Sequence, residues 1–170
     1  MTPTTNPASA AIAEDAATAA TAATPGVGVS RPGGTRRTTA IAWASLVLSP
    51  DETRLRQLAD ATQIAGWEPI PCLSAAEAMR LSQRWRTQLA TIDLSGLTDG
   101  RRDTHRQLAS QLVTHDRLVV VCDDAATPDG ELWARQAGVW LYLPKVDPGE
   151  GLVSVFRDAL GIAEKLATAD

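Results

Sequence analysis

The sequence predicts an α/β domain built on a doubly wound, five-stranded parallel sheet. Five strand-length apolar runs, at 41–48, 68–73, 89–94, 117–122 and 139–143, alternate with five amphipathic stretches. Capping residues stand at the starts of those stretches, and glycines stand at two of their ends. Each return to a parallel strand needs a crossover, so such alternation covers both faces of the sheet with helices.

Each element has its own justification. The strand runs are rich in Val, Ile and aromatic residues, which suit a pleated buried surface. The first helix carries an apolar stripe of Leu55, Leu58, Ala61 and Ala65; the second carries Ala78, Met79 and Leu81, leading to Trp85. His105, Leu108 and Leu112 mark the third, and Leu132 and Trp133 the fourth. The last stripe, from Leu152 through Phe156 to Leu166, is the clearest. Ser49-Pro50-Asp51-Glu52 reads as a capping hydroxyl, a proline at the first helical position and a glutamate that bonds back. Ser74-Ala75-Ala76-Glu77 repeats that box; Asp147-Pro148 and Thr127-Pro128 are further caps. Gly66 and Gly138 supply left-handed helix ends.

Residues 1–39 are dominated by Ala, Thr, Pro, Gly and Ser, with too few large apolar side chains to offset the entropy of ordering them. They are read as a disordered tail before a domain over 40–170. Composition narrows the function. With 44% hydrophobic and 21% charged residues the chain is globular, and its longest strongly apolar run, 118–122, is far short of the roughly 20 residues of a membrane span. The net charge is −4. The tail holds Arg31, Arg36 and Arg37 against Glu14 and Asp15, so the acidity belongs to the body, which disfavours nucleic acid as a partner. The start has no basic patch and apolar core of a secretory signal, so a cytoplasmic location is expected. Cys72 and Cys122 lack ligand-like spacing and read as buried thiols.

In doubly wound folds ligands and chemistry sit at the carboxyl ends of the strands. That rule selects Ser49, Asp93, Asp123, Asp124 and Lys145 as rim residues. With them in place, the chain resembles a bacterial response-regulator receiver domain over roughly 44–167. The resemblance is carried by Ala137-Gly138-Val139-Trp140-Leu141-Tyr142-Leu143-Pro144-Lys145, and by Ala90-Thr91-Ile92-Asp93-Leu94 with Asp99-Gly100 beyond it. It implies a flavodoxin-like, receiver-like sheet, Asp93 at the phosphoacceptor position and Lys145 at the family's lysine position.

The departures from that pattern point to a degenerate, pseudo-receiver type. Receivers hold a magnesium ion on an acidic pair after the first strand, because a hard divalent cation needs carboxylate oxygens. Here Leu48 and Ser49, or Ser49 and Pro50, occupy those positions. Asp51 and Glu52 follow two or three residues too late and read as the charged first turn of a helix. Cys122 or Asp123 replaces the family's Thr or Ser after the fourth strand. A carboxylate about 5 Å from a phosphoryl group costs about 3 kcal/mol per unit charge at an effective dielectric of about 20. Lys145 is expected to pair with Asp93, shared with Asp123.

The expectation is therefore a non-enzymatic signalling module that acts on protein partners, with a second copy as a further candidate. No metal site, cofactor or catalytic residue is assigned, and an output domain is not expected after the last helix. Trp133, Trp140 and Tyr142 are the candidate interaction surface, since Trp and Tyr anchor interfaces. Trp43 and Trp67 read as core, and His105 and His115 as surface or helix-end residues. Two alternatives stay open: a phosphorylatable receiver with Asp93 as acceptor, and a small flavodoxin-like enzyme or nucleotide binder at the same rim.

Overall fold

The structure, a computed structural model, describes residues 43–113 and 117–169. The tail over 1–39, the first residues of the run at 41–48, and His115 lie outside the described residues. The elements follow in strict alternation: β1 (Ala44–Leu48), α1 (Glu52–Ile64), β2 (Glu68–Cys72), α2 (Ala75–Arg84), β3 (Leu89–Asp93), α3 (Asp99–Val113), β4 (Leu118–Asp123), α4 (Pro128–Ala137), β5 (Leu141–Pro144) and α5 (Glu150–Ala169). All strands pair in parallel in the order β2-β1-β3-β4-β5. This is the doubly wound, flavodoxin-like arrangement. Strand order reverses between β1 and β3, so the switch-point crevice opens beside Ser49 and Asp93.

Side chains on a strand alternate between faces, and the two cores follow that period. Leu46, Leu48, Ala90, Ile92, Val119 and Val121 pack with α2 and α3 on one face. Val47, Leu89, Val120 and Cys122 pack with α1 and α5 on the other, around a fully buried Phe156. Trp67 is buried there with its indole N–H donating to the Phe156 carbonyl at 2.8 Å, and half-buried Trp43 meets it edge-on at 6.3 Å. Burial pushes the Cys72 and Cys122 thiols up to about 12, so both stay protonated.

Ser74 and Thr127 cap α2 and α4 as the sequence predicts, and Gly66 and Gly138 take φ of 100° and 76°. Three local expectations are corrected. The cap of α1 is Asp51, whose Oδ1 accepts from the Arg54 amide at 2.7 Å, because the Ser49 hydroxyl is drawn to a buried acid. Helix α5 starts at Glu150, later than an Asp147 cap implies. His105 is buried, not superficial: its Nδ1 donates to the Arg101 carbonyl at 2.8 Å, which lets the ring turn inward from α3.

Candidate functional site

Strand alternation decides which helix each rim acid meets. Asp93 shares the parity of Leu89 and points to the α1 face; Asp123 shares that of Val119 and Val121 and points to the α3 face. Both carboxylates are wholly buried, and each receives an arginine from the first turns of the helix on its own side.

On the α1 side, four donors enclose Asp93. Its Oδ2 accepts from Ser49 Oγ at 2.8 Å and from Arg54 Nε at 2.9 Å. Its Oδ1 accepts from the Ser95 amide at 3.2 Å and the Ser95 hydroxyl at 2.7 Å. Arg54 also donates to the Val146 carbonyl at 3.3 Å, which ties α1 to the segment after β5. Both oxygens of Asp93 are thus engaged inside the protein.

On the α3 side, Arg102 Nη1 lies 2.7 Å from each oxygen of Asp123, and Nη2 reaches Asp124 at 3.3 Å. Burial works against the guanidinium's charge, but the bonds to Asp123 and then Asp124 outweigh it and raise its pKa. Asp124 also accepts from the Gly96 amide at 2.8 Å, which closes the β3–α3 loop onto the β4–α4 loop. That backbone bond, with those to Arg102, holds the Asp124 carboxyl below the ordinary range. Tyr142 completes the cluster. Its hydroxyl lies 2.9 Å from Asp123 Oδ2 and 3.1 Å from the Ala125 carbonyl, and burial together with Asp123 pushes the phenol up to about 12.

The expected pairing of Lys145 with Asp93 is not the one the protein makes, since Arg54 takes that place. Lys145 is exposed and adopts φ of 55°, a left-handed conformation that costs a non-glycine residue about 1–2 kcal/mol, while its amide donates to the Asp123 carbonyl at 2.6 Å. Of the rim residues, Ser49 joins Asp93, and Asp124 joins Asp123 through Arg102; the Lys145 side chain is exposed. Trp133 is half-buried under the Arg106 guanidinium, 5.0 Å from its ring centroid, and Trp140 is half-buried against the α5-side core.

Arg54 and Arg102 are the two site residues that sequence reasoning missed. A signal for them exists. Cations are disfavoured near a helix N-terminus by the helix dipole, so an arginine there implies a nearby acid. Each stands within the first four residues of its helix.

The donor set does not fit a divalent cation. Asp51 is committed to capping, Ser49 and Pro50 follow β1, and a guanidinium occupies the approach to Asp93. Among the described residues, no three His, Cys, Asp or Glu side chains are grouped to hold a metal ion. No described helix is long and apolar enough to cross a membrane.

No protein-family model and no curated protein matches the chain. Solved structures do. A response regulator receiver domain protein from Methanospirillum hungatei superposes with a TM-score of 0.61 at 19% identity, covering 72% of this chain and 97% of the other. The signal receiver domain of a putative LuxO repressor protein from Vibrio parahaemolyticus gives 0.64 at 14%, covering 76% and 98%. A Burkholderia pseudomallei response regulator, solved with a phosphorylated aspartic acid, a calcium ion and citrate, gives 0.58 at 21%, covering 75% of each chain. At these identities the likeness is one of architecture: the body of this chain has the fold of response-regulator receiver domains.

Proposed function

We propose that the chain is an atypical receiver-like module of two-component signalling that acts in the cytoplasm by contact with protein partners. Its rim acids are neutralised by its own arginines, without magnesium-dependent phosphorylation of Asp93. The observation that carries this reading is the enclosure of Asp93. The carboxylate is fully buried, both oxygens accept two hydrogen bonds, and Arg54 supplies the positive charge that a bound cation supplies elsewhere. Phosphorylation would have to break part of that set and add negative charge to a carboxylate that is wholly buried.

In this reading the module holds one fixed conformation for a partner to recognise, not a switched one. Incubating the full chain with acetyl phosphate and magnesium tests it: intact mass spectrometry is expected to show no added phosphoryl group. A stable adduct that disappears in Asp93→Asn overturns the reading in favour of a phosphorylated receiver.

A further inference from the structure

The two outermost strands carry prolines in a pattern that the rim does not explain. In β2, the Glu68 amide donates to the Trp43 carbonyl, and the Cys72 carbonyl accepts from the Ser49 amide. Residues 68, 70 and 72 therefore turn their backbone toward β1, and the residues between them turn outward. Those residues are Pro69 and Pro71. On the opposite edge, the Lys145 amide donates to the Asp123 carbonyl, so Leu143 shares the inward phase and Pro144 faces out. Among the described residues, every proline within a strand thus stands where its missing N–H would have pointed away from the sheet.

We propose that Pro69 and Pro71 close the β2 edge to strand addition, so that a second copy or protein partner cannot extend the sheet from that side. An incoming strand needs alternating donors and acceptors along the edge. β2 offers it carbonyls alone, since both outward residues lack an N–H. Among the described residues no strand pairs with that side of β2. Edge protection here is complete over the strand, whereas β5 keeps the outward amide of Tyr142 and is blocked only at its end. The inference rests on backbone chemistry and is independent of whether Asp93 is phosphorylated.

Restoring the donors tests it. In the full chain, Pro69→Val with Pro71→Val is expected to keep the native circular dichroism. Its mass by sedimentation should rise with concentration to at least about twice that of the unsubstituted chain under the same conditions, as edge pairing predicts. The new amides at 69 and 71 should gain hydrogen-exchange protection only over that concentration range. Should the double variant not fold, Pro71→Val alone, which restores one outward donor, is read in the same way. A folded variant that sediments like the unsubstituted chain at every concentration overturns the proposal. So does association that leaves the new amides unprotected.

Discussion

Arg54 and Arg56 lie two residues apart on one helix and do opposite kinds of work. Arg56 pairs with Glu52 across i, i+4, with side chains 74% and 69% exposed, so water and side-chain entropy leave the pair worth about 0.3 kcal/mol. Arg54, only 21% exposed, meets an Asp93 that is not exposed at all. Removing it strands a buried carboxylate, and Arg54→Ala is expected to lower unfolding stability by about 3 kcal/mol. Urea denaturation of Arg54→Ala beside Arg56→Ala checks this, and equal losses would remove Arg54 from the account. At this scale the sequence was half legible. Asp93 and Asp123 follow from being acids at strand ends, where the fold collects side chains. Their partners did not follow, because the resemblance directs attention to Lys145, and the left-handed turn at that residue is invisible in a run of letters.

At the scale of elements, the apolar runs and caps make most boundaries readable, since a strand or helix start is a local matter of side-chain chemistry. What was not readable is contact between elements, as in the junction of α4 with β5. A Cβ at Gly130 would lie 2.5 Å from the Tyr142 hydroxyl and 2.9 Å from Thr127 Oγ1, so the missing side chain makes room for that hydroxyl to reach Asp123. Sequence alone shows Gly130 as one more residue of a helix. Tyr142 is the single tyrosine of the chain, so phenolate absorbance reports on it alone. In the folded protein its pKa is raised from 10 to about 12, so the stability this group contributes is full below pH 10 and fades as pH rises toward 12. Gly130→Ala is expected to displace the ring, cost about 1–3 kcal/mol and return the titration toward 10. A spectrophotometric titration unchanged from the native protein would contradict that geometry. His105 teaches the same lesson: its place on the helical stripe with Leu108 and Leu112 was visible, but a polar side chain on a buried face reads as surface until its carbonyl partner is seen.

For the whole molecule, the class of fold was legible because four crossovers of one kind admit few arrangements. The state of the rim was legible as the missing acidic pair directly after β1 and as Cys122 or Asp123 where receivers carry a hydroxyl. The structure adds a positive cause, two arginines on opposite faces of one sheet that neutralise two buried acids. The central claim is that this neutralisation is internal and permanent. It is tested most directly by the urea midpoint of the native chain as magnesium is raised. Binding to the folded state alone would add about 1.4 kcal/mol at roughly ten times its dissociation constant. The account predicts a midpoint that does not move beyond the effect of matched ionic strength. A saturable rise in the midpoint that is lost in Asp93→Asn would contradict it.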